Sequence, residues 1–429
     1  MRQAIRASMY HCLADPGEGD REGATEYFAD GLLIIDNGKI VELGEAGTLA
    51  DQIGDMPIDD MRGKLIIPGL IDCHVHFAQL DIIASYGEKL LDWLNRYAYP
   101  GELRFDDEDY ARNAAEFFLD QLLMNGTTTA AVFATVHSKS TEVLFEAAAA
   151  RQMRLIAGKV LMDRNCPKEL SDTPETAYAD SRRLIEKWHG KGRLGYAITP
   201  RFALTSSEEQ LEAAGRLAAE YPDTWIHTHL AENSDEVSAV RKQFPWSNSY
   251  LDVYDQFGLL RERSIFAHCL YLDRRDRERM RDGGGTAAFC PTSNMFLGSG
   301  LFDLRAMSDA EIRVGLASDV GGGTSLSMLR TMSAAYKVLH LQHQNLPASR
   351  ALYLATLGAA EALYLDSHIG SLASGKEADF VVIDPAATDL SARRIADAGD
   401  IDELLFALLF LGDDRHIAQT WINGRPADV

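Results

Sequence analysis

The sequence predicts an α/β protein, a (β/α)8 TIM-type barrel with a small β domain formed by both chain ends. Three observations carry this. Eight short apolar stretches alternate with helical patterns through the middle of the chain. Both ends instead pair apolar runs with turn signals, and histidines and carboxylates recur where the central stretches stop. Strand counting alone leaves a doubly wound open sheet as the alternative. A chain of 429 residues can bury a large core, as one big α/β domain or as two units.

The elements follow in chain order. Residues 31–43 alternate apolar and polar around Asp36-Asn37-Gly38, a hairpin signal. The expected barrel strands are 65–77, 127–134, 154–162, 192–199, 224–230, 264–269, 286–290 and 312–318. Helical patterns over 107–124, 141–152, 208–220 and 251–259 lie between them, with acidic first turns and with Gly126 and Gly258 as stops. Late in the chain, 379–383 reads as a strand and 420–426 as strand, Asn-Gly turn and short tail. Residues 1–66 and 375–429 are therefore expected to form the small β domain, and 67–374 the barrel.

Composition narrows the function. A formal net charge of -22 argues against a nucleic-acid backbone or an anionic membrane as partner and is compatible with a neutral small substrate. Cys12, Cys73, Cys166, Cys269 and Cys290 are scattered without a C-x-x-C, so neither a disulfide framework nor a thiolate zinc site is expected. The start of the chain reaches the polar run 15–20 without an apolar signal core, and the apolar run 404–411 is too short to span a bilayer. A reduced cytoplasm is the expected location.

The chemistry gathers at strand ends. His74 and His76 are separated by one residue, so on an extended strand both side chains face the same way. Other expected strands end in His229-Leu230-Ala231-Glu232, in His268 and in Ser318-Asp319. Barrel enzymes carry their active sites at that end. Imidazoles with a carboxylate suit zinc, which lowers the pKa of a bound water to near ~7. Glu232, three residues past His229, is placed to shuttle protons without ligating. His227 shares a strand face with His229 and is a rival ligand, but it lies farther from the strand end and suits a supporting position. Lys159 raises a two-metal alternative with a carboxylated lysine. Gly321-Gly322-Gly323 lacks phosphate-loop spacing and reads as a tight turn beside Asp319.

These residues resemble the amidohydrolase superfamily. The run Pro68-Gly69-Leu70-Ile71-Asp72-Cys73-His74-Val75-His76, the His229–Glu232 segment, His268 and Ser318-Asp319 follow in its order, and residues 370–379 resemble its return to the small β domain. Further stretches resemble the guanine deaminases within it: His76-Phe77-Ala78-Gln79, Asp92-Trp93-Leu94-Asn95-Arg96-Tyr97, Asn125-Gly126-Thr127-Thr128-Thr129-Ala130 and Phe133-Ala134-Thr135-Val136-His137. Thr199-Pro200-Arg201-Phe202, residues 229–237 and Leu411-Gly412-Asp413-Asp414-Arg415 extend that likeness.

The resemblance implies one zinc per chain on His74, His76, His229 and Asp319, with iron or manganese able to occupy the same ligands. It implies that His268 hydrogen-bonds the reacting water or the substrate, that Glu232 shuttles protons, and that Gln79 and Arg201 hold a purine with Phe202 alongside. The implied reaction is hydrolytic deamination of guanine to xanthine and ammonia, by a homodimer. Deamination of 8-oxoguanine or a pterin, hydrolysis of a triazine, and a non-catalytic scaffold are the alternatives. Thr292, in Cys290-Pro291-Thr292-Ser293-Asn294, stands where that family commonly has asparagine, which leaves selectivity open.

Overall fold

The computed structural model describes residues 2–19, 21–54, 56–87 and 89–428; Met1, Asp20 of the polar 15–20 run, Asp55, Glu88 and Val429 lie outside the described residues. Contacts divide the chain into two compact units, Met1–Ile71 with Asp120–Thr129 and Ser327–Val429, and Asp72–Leu119 with Ala130–Leu326.

The strands, in order, begin with β1 (Arg2–Cys12), β2 (Thr25–Asp36), β3 (Lys39–Glu45) and β4 (Ile58–Pro68). The central set is β5 (Leu70–His76), β6 (Thr127–Phe133), β7 (Arg154–Gly158), the two-residue β8 (Val160–Leu161), β9 (Leu194–Pro200), β10 (Trp225–Leu230), β11 (Ser264–His268), β12 (Thr286–Phe289) and β13 (Val314–Leu316). The chain ends with β14 (Phe380–Ile383), β15 (Ile417–Ile422) and β16 (Arg425–Pro426).

The chain ends do meet in one seven-stranded sheet, ordered β16-β15-β14-β4-β1-β2-β3. Its seam is β4 against β14, antiparallel, with Ile67 opposite Val381. The Asn37-Gly38 and Asn423-Gly424 turns both sit at positive φ, as two-residue hairpin turns require. One face buries Ile5, Ala7, Met9, Leu33, Ile35, Phe380 and Trp421. The other face buries Ala4, Leu32 and Ile34 against Ala46 and Leu49 of the helix Ala46–Ile53. Because β2 is covered on both sides, Leu32–Ile35 is continuously apolar and the expected alternation over 31–43 fails there.

The second sheet is the barrel, eight parallel strands in the order β13-β12-β11-β10-β9-β7-β6-β5, with β8 beside β9. Two backbone hydrogen bonds close it just past β13: Asp319 N–H donates to His74 O at 2.9 Å, and His76 N–H to Val320 O at 2.8 Å. Strands β6, β9, β10 and β11 are buried along their whole length, the pattern of strands covered on both faces.

Every expected barrel strand is present, with two corrections. Residues 65–77 are not one strand: residues up to Pro68 belong to the terminal sheet, and the barrel strand starts at Leu70. Pro68 has no N–H to continue a ladder, and Gly69 passes so close to the Thr128 side chain that a Cβ would collide with it. Residues 154–162 are interrupted at Lys159, after Gly158 packs against the backbone of Ala197. The run 404–411 lies in the helix Ile401–Leu411, which buries Leu405, Ala407, Leu408 and Leu409 while Phe406 and Phe410 stay partly exposed. No helix among the described residues is long and apolar enough to cross a membrane.

Candidate metal centre and active site

Strand geometry alone brings His74 and His76 to one face at the end of β5, and β10 places His229 next to them. Asp319 follows β13 and is held there by the closing hydrogen bond to His74 O. One ligand atom from each of His74, His76, His229 and Asp319 lies within 4.8 Å of all the others. The Nε2 atoms of His74 and His76 stand 3.2 and 3.3 Å from Asp319 Oδ1, and the Nε2 atoms of His76 and His229 are 3.3 Å apart. His268, Ala231 and Asp319 all adopt positive φ without being glycine, so the backbone carries local strain at these strand ends.

Protonation follows from the outer contacts. His229 Nδ1–H donates to Arg201 O at 2.7 Å, and a carbonyl only accepts, so the neutral ring turns the Nε2 lone pair into the cluster. His74 Nδ1 meets His227 Nε2 at 2.7 Å. His227 thus touches a cluster imidazole from behind and is not among the four converging residues. Burial pushes His74 down to about 4 and holds His227 and His229 well below the ordinary histidine range, so these rings are neutral. Phe133 packs against His74, His76, His227 and His229 with ring centroids 4.6–5.0 Å away, which supplies the apolar wall.

A divalent cation fits this donor set. The buried Nε2 of His74 has no hydrogen-bond partner among the described residues, although Asp319 Oδ1 is near. Lone pairs facing lone pairs and a carboxylate in a buried space repel unless a positive charge sits among them.

Glu232 and His268 stand beside the cluster. His268 Nε2 is 3.4 Å from Glu232 Oε2 and 3.7 Å from Asp319 Oδ2, while its Nδ1 meets Asn294 Oδ1 at 2.9 Å. Ser299 Oγ donates to Glu232 Oε1 at 3.3 Å. Burial, reinforced by the charge of Asp319, raises the Glu232 carboxyl well above its ordinary range. Glu236 steadies the segment, its Oε2 accepting the backbone N–H groups of Glu232 and Asn233.

A cleft of about 370 Å³, counting its mouth, opens onto these groups. Gln79, Arg201 and Phe202 line it together with His76, His229, Glu232 and Asp319, and Leu90, Trp93, Leu94 and Leu297 give it apolar walls. Gly322 lines it too, and Gly323 N–H donates to Asp319 O, so the triple glycine is the tight turn that sequence reading expects. Thr292 donates to Ser318 O and does not line the cleft. Lys159 is paired with Asp172 and is not part of the cluster. Sequence reading misses Glu102, which is buried and bonded to both Arg201 and Gln79. It sits in no motif, and its partner Arg201 is 99 residues away.

Comparison with known proteins agrees with this geometry. The amidohydrolase family profile matches residues 65–427. The guanine deaminase of Escherichia coli strain K12 is 50% identical over 403 residues, covering 94% of this chain and 92% of that protein. The solved structure of E. coli guanine deaminase superimposes with a TM-score of 0.97 at 48% identity, covering 99% of each chain. A guanine deaminase from C. acetobutylicum, solved with guanine bound in its active site, gives a TM-score of 0.92 at 30% identity over 100% of each chain. With that likeness running the length of both units, the chain belongs to the amidohydrolase family, among its guanine deaminases.

Proposed function

We propose that this protein hydrolyses guanine to xanthine and ammonia, using one zinc ion per chain on His74, His76, His229 and Asp319. The observation that carries the reading is the convergence of four ligand atoms on one buried point at the floor of a cleft also lined by Glu232, Arg201 and Gln79. When bound, the metal supplies Lewis acidity and makes water a usable nucleophile at neutral pH. Iron or manganese would satisfy the same ligands. The catalytic barrel in this reading spans residues 67–374, between the two parts of the β domain at 1–66 and 375–429.

The chain's own groups manage protons and orientation. Arg201 and Gln79 offer N–H donors and a carboxamide oxygen, which match the carbonyl and ring nitrogens of a purine. Phe202 and Trp93 supply apolar surface at the same cleft. Glu232 takes a proton from the attacking water as the C–O bond forms. It delivers that proton to a ring nitrogen, then takes the remaining proton from the new hydroxyl on the tetrahedral carbon and gives it to the departing amine as the C–N bond breaks and the C=O forms, so ammonia and xanthine leave with atoms balanced. Its raised pKa suits a group that must both accept and donate near neutral pH. His268, 3.4 Å from Glu232, is positioned to hydrogen-bond the reacting oxygen and steady the charge that develops there.

Glu232→Gln is expected to lower guanine turnover by at least ~10²-fold while zinc content stays at wild-type level. Near wild-type turnover in that variant would remove Glu232 from the mechanism. Ammonia and chloride release across 8-oxoguanine, pterins and chlorinated triazines separates guanine from the related substrates. We also propose a homodimer, with the partly exposed Phe406 and Phe410 as candidate contacts; a monomeric mass by light scattering would overturn it.

A further inference from the structure

Behind the cleft lies a carboxylate that the reaction above does not use. Glu102, on the short helix Tyr99–Leu103, is 1% exposed and does not line the cleft. Arg201 Nη1 donates to both of its oxygens, at 2.9 and 2.7 Å, and Gln79 Nε2 donates to Oε1 at 2.9 Å. The other end of the Gln79 amide accepts the Gly321 N–H at 3.2 Å. Both ends of the Gln79 amide and one guanidinium nitrogen of Arg201 are thereby tied to fixed partners.

The Arg201 guanidinium lies 5.3 Å from the centre of the Tyr99 ring, and Tyr99 and Cys166 are ionisable groups that act on it besides Glu102. Burial pushes the Tyr99 hydroxyl up to about 12 and raises the Cys166 thiol, so both are neutral. Glu232 lines the same cleft, but the ion pair of Arg201 is with Glu102. Glu102 is thus the carboxylate set directly against the guanidinium.

We infer that Glu102 is a positioning residue that fixes the facing of the Gln79 amide and cancels the charge of Arg201, so that the cleft selects an uncharged purine over an anionic one. The inference rests on the guanine reading of the same site. A buried guanidinium without a counter-charge is a strong anion site. Paired with Glu102, Arg201 keeps N–H donors for the substrate but adds no net charge. The consequence falls on the product: xanthine is more acidic than guanine, and an uncancelled Arg201 would hold its anion in the cleft.

The test is calorimetric binding to zinc-loaded wild type, Glu102→Gln, Glu102→Asp and the double variant Glu102→Gln/Arg201→Met. The ligands are xanthine and hypoxanthine at a mildly alkaline pH where the first is largely the anion and the second largely neutral. In Glu102→Gln, xanthine should tighten by about tenfold or more relative to hypoxanthine, the scale of one uncancelled charge a few Å away. The gain should vanish in the double variant and be absent from Glu102→Asp, which keeps the charge. The same Glu102→Gln enzyme should raise KM for guanine more than it lowers kcat. Equal shifts for both ligands, or a gain that survives removal of Arg201, would overturn the inference. Wild type reads it without any variant: a preference for the xanthine anion over hypoxanthine contradicts it. Ammonia release from guanine on the same wild-type sample reports separately on the guanine reading, since the binding comparison needs no turnover.

Discussion

The His74–His76–His229–Asp319 cluster and the Gln79–Glu102–Arg201 triad are both buried and polar, and they differ in completeness. In the triad the Glu102 oxygens take hydrogen bonds from Arg201 Nη1 and Gln79 Nε2, and the Gln79 oxygen takes one from Gly321. In the cluster, lone pairs and a carboxylate face one another, and the buried His74 Nε2 has no hydrogen-bond partner among the described residues. An incomplete buried polar arrangement calls for a guest, whereas a complete one holds its members in place. In the proposed function the first arrangement would hold the metal and the second would aim the substrate-facing side chains.

Perturbing each set in turn should separate their effects. The largest effect is metal removal: exhaustive chelation is expected to abolish ammonia release, and added zinc to restore it in proportion to metal content by elemental analysis. Full turnover by metal-free protein would break the comparison at its root. Next comes Arg201→Met, which should raise KM for guanine roughly 10–100-fold, the loss expected for hydrogen bonds from a charged donor, with zinc content unchanged. Loss of zinc in that variant would show the two sets to be one unit. His227→Leu is the smaller and opposite case. His227 Nε2 meets His74 Nδ1 at 2.7 Å, so its loss should weaken zinc affinity about 10–100-fold in a competition titration and leave KM of the zinc-saturated enzyme near wild type.

The same contrast explains what the sequence makes legible. His74 and His76 are neighbours on one strand, and period two alone puts them on one face. His229, His268 and Asp319 are marked by their places at or just past strand ends, which a barrel gathers at one rim. The terminal sheet is legible at its Asn-Gly turns but not in its pairing order, because β1 runs parallel to β4 through contacts that no local pattern encodes. Residues 65–77 look like one apolar strand because β4 and β5 are both apolar where they adjoin, and the Gly69–Thr128 contact that accompanies the break at Pro68 is invisible in sequence. Glu102 looks like an ordinary helix carboxylate in sequence. Its meaning comes from two partners, 23 and 99 residues away, and from burial.

The most direct test of the central claim is ammonia release from guanine by purified, zinc-replete protein, with the purine absorbance followed in parallel. The cluster and cleft described above predict ammonia and xanthine in equal amounts. No ammonia from guanine, with zinc shown to be bound, would contradict the assignment of this cleft to guanine.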